Sequence, residues 1–253
     1  MKYRVQFFLA VLTVCAFLGK AEASERLFTY SYEPETMPEG AREYEQSLTW
    51  RHDRGSVKKE YNRFDIREEL EYGINDNWTF GLYLNEKVER FKKANGSKSS
   101  ESEFKSVSLE NRFLIWNPAE KNVGLTLYIE PSFGEEETEL EEKIILGQRR
   151  GDWKWTLNLT HETEWEEDET TGIFEITAGV AKTLNKRWAL GAEFRNHNKG
   201  EDYQDWDSAF FLGPVVSYRA GNWWATVSVL PQIGSELNAH ERLNVRCLFG
   251  FDF

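Results

Sequence analysis

The feature that most constrains this chain is a two-residue alternation of apolar and polar side chains. It is clearest at the C-terminus, where every second residue from Leu243 to Phe253 is apolar and most residues between them are polar or glycine. Successive side chains of a β-strand point to opposite faces, so this spacing predicts a strand with one apolar face. The clearest segments of this kind do not show the three- or four-residue spacing of an amphipathic helix. The chain is therefore predicted to be all-β.

Alternating segments recur through the chain and are joined in a regular way. We count twelve, with predicted starts near residues 42, 61, 78, 104, 122, 138, 152, 172, 187, 207, 222 and 241. The first and sixth alternate only weakly, so ten or fourteen strands stay open. Short turns alternate with longer polar loops. An even number of antiparallel strands joined in this manner is typical of a transmembrane, up-and-down β-barrel of the bacterial outer membrane.

The N-terminal residues have the composition of an export signal. Lys2 and Arg4 precede a short apolar run, and Ala21-Glu22-Ala23 matches a small-x-small cleavage pattern. Residues 1–23 are therefore predicted to be a signal peptide. Residues 24–41 would follow as a periplasmic arm or a plug folded into the barrel, and an arm is the commoner arrangement for so short a leader. Residues 42–253 would form the barrel.

Aromatic residues make up 15% of a chain whose mean hydropathy is only −0.63. Five tryptophans lie next to the predicted short turns, where amphipathic rings would meet a membrane–water boundary. This predicted aromatic girdle consists of Trp78, Trp116, Trp153, Trp188 and Trp223. A second girdle at the loop ends would use Tyr61, Phe91, Phe133, Trp165 and Trp206. Both girdles favour a membrane barrel over a soluble one.

The closing residues resemble the C-terminal assembly signal of outer-membrane proteins. Phe249, Phe251 and Phe253 alternate up to the last residue, and the barrel-assembly machinery reads such an ending. The chain also resembles a family of uncharacterised, porin-like bacterial outer-membrane β-barrel proteins. The resembling stretches are Leu27 to Arg51, Phe64 to Trp78, Gly81 to Asn85, Ala209 to Tyr218 and the closing HERLNVRCLFGFDF. The resemblance implies a fold and an outer-membrane location, and it brings no activity with it.

If the apolar faces meet lipid, the other face lines a polar lumen. The predicted lumen-lining residues are Asp65, Arg67, Glu69, Glu71, Tyr83, Lys87, Glu110, Arg112, Glu130, Glu193, Arg195, Arg242 and Arg246. Charges of both signs indicate either a selective channel or an ion-pair network that fills the barrel. Twelve strands lie between a filled interior and a wide channel, so both interpretations stay open.

The sequence favours passive passage of small hydrophilic solutes, through a monomer that contacts outer-membrane lipid. The alternatives are a lipid hydrolase using His161, which is predicted to face lipid near the loop rim, and a non-conducting structural barrel. Catalysis would need a nucleophile and an orienting group, and Thr163 stands where outer-membrane phospholipases place a serine. A net charge of −12 argues against nucleic acid as a partner. No motif implies a cofactor or a metal centre, and the acidic runs 135–137 and 166–169 are expected to be solvated loop charge.

Overall fold

Twelve antiparallel strands make up almost all of the structure, a computed structural model that describes residues 26–54, 59–93, 95–234 and 240–253. The strands are β1 (Arg42–His52), β2 (Lys59–Asn75), β3 (Trp78–Lys92), β4 (Lys98–Trp116), β5 (Gly124–Gly134), β6 (Thr138–Arg150), β7 (Trp153–Trp165), β8 (Thr170–Thr183), β9 (Trp188–Glu201), β10 (Asp207–Ala220), β11 (Trp223–Ile233) and β12 (Leu243–Asp252). Ten residues of strand, the shortest length here, are enough to cross a bilayer when tilted. The predicted count of twelve is confirmed.

Each strand pairs with its neighbours in sequence, and β12 closes the sheet against β1. The closing pair is in continuous register from Glu43 opposite Asp252 to His52 opposite Leu243. Closure leaves no strand edge unpaired, which is what a sheet in hydrocarbon requires. The start of β1, the end of β12 and the connections after β2, β4, β6, β8 and β10 lie at one end of the barrel, which we name the turn end. The connections after β1, β3, β5, β7, β9 and β11 lie at the other end, the loop end.

The two faces of the sheet differ in polarity as the alternation predicts. Leu190 on the exterior is 51% exposed, whereas its neighbour Ala189 faces the lumen and is 3% exposed. Large exposed apolar side chains recur around the exterior, and buried Ser, Thr, Glu and Arg side chains line the lumen. Glu68 is an exception, since it lies on the exterior between Gln46 and Leu84 in the neighbouring strands. Over the residues that the structure describes, no helix has the length and apolarity needed to cross a membrane.

The five tryptophans of the predicted girdle lie on the exterior at the turn end. Trp116, Trp153 and Trp188 are about half exposed, and Trp223 stacks on Phe249 with ring centroids 6.0 Å apart. At the loop end the prediction for Tyr61 is wrong. Its side chain is buried on the lumen side, and its hydroxyl donates a hydrogen bond to Glu89 at 2.9 Å.

Residues 26–41, the N-terminal segment, run inside the barrel rather than outside it. The side chains of Arg26 to Pro34 and of Met37 are buried, and those of Glu35 and Thr36 are half-buried. A backbone bond joins Gly40 to Gly73 before β1 begins. The periplasmic arm favoured from sequence is therefore wrong for these residues. Side chains of the lumen wall make the hydrogen bonds that water would make to an arm outside the barrel. The predicted signal peptide, residues 1–23, lies outside the described residues.

Candidate channel lumen

One carboxylate of the barrel wall binds three consecutive residues of the N-terminal segment. Glu193 on β9 is fully buried and accepts hydrogen bonds from the backbone nitrogens of Thr29, Tyr30 and Ser31 at 3.1, 2.8 and 2.8 Å. The Thr29 hydroxyl adds a fourth bond at 2.8 Å and lies 2.6 Å from the Ser228 hydroxyl. Charge-assisted bonds of this kind are stronger than neutral ones. Glu193 was predicted to face the lumen, and it is there as an anchor.

Further contacts carry the segment across the lumen to the opposite wall. The backbone nitrogen of Tyr32 donates to Asn158 Oδ1 at 2.6 Å, and Asn158 Nδ2 donates back to the Tyr32 carbonyl at 2.9 Å. Met37 then donates from its backbone nitrogen to Thr79 Oγ1 at 2.8 Å. The segment therefore bridges strands β7, β9 and β3, and it narrows the turn end of the lumen.

Glycines on the lumen face make room for the segment. A Cβ at Gly179 would lie 2.4 Å from the Phe28 ring, and one at Gly73 would lie 2.0 Å from the Pro38 carbonyl oxygen. Phe28 also packs in an apolar cluster with Val215 on β10. These residues were missed by the sequence analysis. The available signal was β10 itself, where Ala209 to Val216 are apolar on both faces, as expected for a strand covered on both sides.

Beyond the segment, towards the loop end, the lumen holds a cavity of about 190 Å³. Arginines from β1, β2 and β12 line one wall, and carboxylates from β5, β6 and β7 line another. The charged residues of these walls are Arg51, Arg63, Asp65, Arg67, Lys105, Glu130, Glu139, Glu141, Glu162 and Arg246. We name this space the outer cavity. Ions tolerate such a wet, mixed-charge interior, and opposite walls of opposite charge orient a solute that passes between them.

Ion pairs hold most of the predicted lumen-lining residues. The pairs and their shortest distances are Arg67–Glu130 at 2.7 Å, Asp65–Arg51 at 2.5 Å, Lys87–Glu103 at 2.7 Å, Arg195–Glu175 at 2.7 Å and Arg112–Glu110 at 2.6 Å, with Arg112 also bound to Glu71. Tyr83 donates to Glu110 at 2.6 Å, and the Arg246 guanidinium lies 4.7 Å from the Tyr30 ring centroid. Arg242 differs from the prediction. It precedes β12, is about half exposed, and pairs at 3.5 Å with Asp53 in the loop after β1.

Two histidines meet at the loop end of the lumen. The His240 ring lies edge-on to the His197 ring, with centroids 5.2 Å apart, and the neighbouring Glu241 accepts a bond from Arg51 at 2.6 Å. Burial, and then the nearby His197, lower the pKa of His240 to about 4. Burial opposes ionisation of Glu241, but Arg51 outweighs it and holds the pKa of that carboxyl well below its usual range. His240 is therefore neutral at pH 7 beside a charged pair.

His161 lies on the exterior near the loop rim, as predicted, and heads a chain of polar contacts. Its Nδ1 lies 3.4 Å from Glu142 Oε2, and its Nε2 lies 3.3 Å from the Tyr203 hydroxyl. The Tyr203 hydroxyl lies 2.6 Å from Thr163 Oγ1. The carboxylate partner was not identifiable from sequence, because Glu142 comes from the adjacent strand and Tyr203 from a distant loop.

A closed antiparallel barrel with an apolar exterior, tryptophans at its turn end and a charged lumen is an outer-membrane β-barrel protein. Residues 20–145 and 147–247 match the Family of unknown function (DUF6662), and the chain belongs to that family. No curated protein sequence matches the chain.

Solved outer-membrane barrels have a similar fold at low sequence identity. The COG4313 outer membrane channel from Pseudomonas putida F1 superposes with a TM-score of 0.63 at 11% identity, over 87% of this chain and 97% of that one. The NanC porin has a TM-score of 0.54 at 11% identity, over 83% and 98% of the two chains. LpxR from Salmonella typhimurium has a TM-score of 0.54 at 7% identity, over 83% and 100%. At these identities the likeness shows the fold alone.

Proposed function

We propose that this protein is an outer-membrane channel for the passive passage of small hydrophilic solutes. The observation that carries the proposal is the outer cavity, a polar space inside the barrel lined by charges of both signs. An interior built only for rigidity would fill that space with side chains. The similar folds of a solved outer-membrane channel and a porin support the same class.

The N-terminal segment sets the narrow part of this channel. It occupies the turn end of the lumen and is held there by Glu193 and Asn158. A solute that enters the outer cavity must pass beside the segment or displace part of it. This arrangement favours the passage of small solutes over the wider range of solute sizes that a general porin passes.

Planar-bilayer recording with the purified, folded chain tests the proposal. We expect discrete, ion-selective conductance steps, together with swelling of proteoliposomes in small sugars and not in large oligosaccharides. Bilayers that stay silent at protein densities sufficient for a control porin would contradict it. A variant lacking residues 26–37 is recorded in parallel. If the N-terminal segment forms the constriction, the conductance steps of this variant should be larger than those of the wild type.

A second candidate, a lipid hydrolase, is favoured by the contact chain at His161. A carboxylate, an imidazole and two hydroxyls lie in sequence on the exterior, where phospholipid headgroups would meet them. General-base catalysis can use a carboxylate that orients an imidazole within hydrogen-bond reach of a hydroxyl, and Tyr203 offers that hydroxyl to His161. Release of fatty acid from mixed micelles by the wild type, lost in His161→Ala, would support this candidate. Silence in both bilayer and hydrolysis assays would leave a structural barrel.

A further inference from the structure

Five glutamates gather on one wall of the lumen at the turn end. The glutamate cluster consists of Glu43, Glu45, Glu69, Glu71 and Glu110, and each of its members is at most 5% exposed. Strand register places Glu43 directly opposite Glu71, and Glu45 directly opposite Glu69. Like charges directly opposite each other destabilise a sheet, and buried charges without partners cost more still. Something must therefore offset the charge of this cluster.

The neighbouring cationic side chains are too few to neutralise the glutamate cluster. Arg112 binds Glu71 and lies 2.6 Å from Glu110, and Arg26 of the N-terminal segment binds Glu45 at 3.1 Å. In the part of the chain that the structure describes, two arginines therefore pair with a cluster of five carboxylates. Among the described residues, neither oxygen of the Glu69 carboxylate has a hydrogen-bond donor, although the side chain is 2% exposed. Buried polar groups in native proteins are almost always satisfied, so an unpartnered carboxylate points to a ligand.

The unpartnered Glu69 carboxylate is aimed at the other members of the cluster. One carboxylate oxygen each from Glu69, Glu71 and Glu110 lies within 4.8 Å of the other two. Oxygens that share one Ca²⁺ ion, each 2.3–2.6 Å from it, lie at most about 5 Å apart. Gly81 stands between Glu71 and Glu110 in the sheet, and a Cβ there would come within 2.6 Å of Glu69 Oε1. A missing side chain on β3 thus leaves space for the Glu69 carboxylate.

We infer that the glutamate cluster binds a divalent cation, Ca²⁺, through Glu69, Glu71 and Glu110. Ca²⁺ accepts irregular sets of carboxylate oxygens and completes its coordination with water. Two positive charges would neutralise most of the excess that Arg26 and Arg112 leave. The ion would join β2 to β4 across Gly81, beneath the N-terminal segment. This inference concerns the stability of the wall and does not depend on conduction.

A second acidic group shows the contrast. Carboxylate oxygens of Glu137, Glu139 and Glu164 also lie within 4.8 Å of one another near the loop end. There, however, Lys105 pairs with Glu137 at 2.9 Å and with Glu139 at 2.5 Å, and Lys199 pairs with Glu164 at 2.7 Å. Each of these three carboxylates already has a lysine partner, so the group supplies a matched control and no second site.

The test uses the full mature chain, folded in a nonionic detergent free of lipopolysaccharide and stripped with a chelator. After gel filtration with Ca²⁺, we expect about one bound ion per chain by elemental analysis, and a thermal midpoint that rises with free Ca²⁺. Glu69→Gln, which keeps the side-chain shape, should lose both the bound ion and the midpoint shift. Glu139→Gln should keep both.

Two results would overturn the inference. The first is a wild type that binds no Ca²⁺; a higher metal-free midpoint in Glu69→Gln would then indicate that the carboxylates share protons and that the amide relieves their repulsion. The second is loss of Ca²⁺ binding in Glu139→Gln and not in Glu69→Gln. Gly81→Ala gives an independent check, since its Cβ would crowd the Glu69 carboxylate, the end of a flexible side chain, at 2.6 Å and Glu110 Cβ at 3.2 Å. The Gly81→Ala variant should fold, and its affinity for Ca²⁺ should be lower than that of the wild type.

Discussion

Glu193 binds Thr29 twice, through the backbone nitrogen at 3.1 Å and the hydroxyl at 2.8 Å, across a separation of 164 residues. With the bonds to Tyr30 and Ser31, the same carboxylate satisfies three consecutive backbone nitrogens inside the lumen. A backbone that leaves water must find such partners. One side chain of β9 therefore fixes residues 29–31 of the N-terminal segment.

Glu193→Gln should loosen the N-terminal segment. The amide turns one acceptor into a donor that faces backbone N–H groups, and lost charge-assisted bonds in a buried site cost about 2 kcal/mol or more. We expect a lower free energy of unfolding and a larger, noisier single-channel conductance. Glu201→Gln, at the exposed end of the same strand, is the control and should change neither. If the single-channel conductance of Glu193→Gln equals that of the wild type, the N-terminal segment does not form the narrow part of the channel.

Arg246→Gln should shift ion selectivity towards cations. Arg246 lies on β12, lines the outer cavity and contacts the Tyr30 ring, so its removal leaves the opposite carboxylates in excess. Reversal potentials under a salt gradient measure the change. Lys121→Gln in the exposed turn between β4 and β5 removes the same charge far from the cavity and should leave the reversal potential unchanged. Equal shifts in both variants would mean that the cavity does not control selectivity.

Ile176→Arg tests which face of the sheet meets lipid. Ile176 lies on the exterior of β8, and a cation near the bilayer midplane of a barrel costs about 2–4 kcal/mol. Reversible folding into vesicles should show a loss of this size. Glu136→Arg in an exposed loop introduces the same side chain outside the bilayer and should cost little. A tolerated arginine at Ile176 would be inconsistent with a lipid-facing exterior.

The loop end should lose stability in mild acid because of His240. Its pKa is about 4 in the folded chain and about 6.5 in an unfolded one, so the unfolded state binds the extra proton first. The contribution of neutral His240 to the free energy of unfolding is fully present above pH 6.5 and declines as the pH falls towards 4. Thermal midpoints at pH 7 and pH 5 measure it. His240→Gln should show a smaller drop between these two values than the wild type.

His161→Ala separates the channel from the hydrolase. The His161 ring packs on Phe174 with centroids 4.9 Å apart and faces outward, away from the lumen. We expect unchanged conductance in bilayers and no phospholipid turnover by either protein. Turnover by the wild type that the variant lacks would instead establish the enzyme.

Much of the lumen follows from parity along the strands. Once the apolar face is assigned to lipid, Glu71, Arg112 and Glu130 must point inward, and they do. Arg242 shows where parity ends, because β12 begins only at Leu243. Trp224 was missed because attention at this turn went to its neighbour in the girdle. It follows the girdle residue Trp223, points inward, and donates from Nε1 to Glu43 at 3.0 Å.

The sequence by itself determined most of the strands and their two faces, because alternation is a local pattern that each strand carries alone. It predicted twelve strands but left ten or fourteen open, because the first and sixth alternate only weakly. Only the tertiary structure decided what fills the lumen. Barrel closure brings Glu43 of β1 beside Asp252 of β12 and gives the N-terminal segment its partner Glu193. Pairing of β1 to β4 collects glutamates from three of these strands around Gly81. These contacts join residues on different strands, and their free energy exists only when the strands have assembled into the sheet.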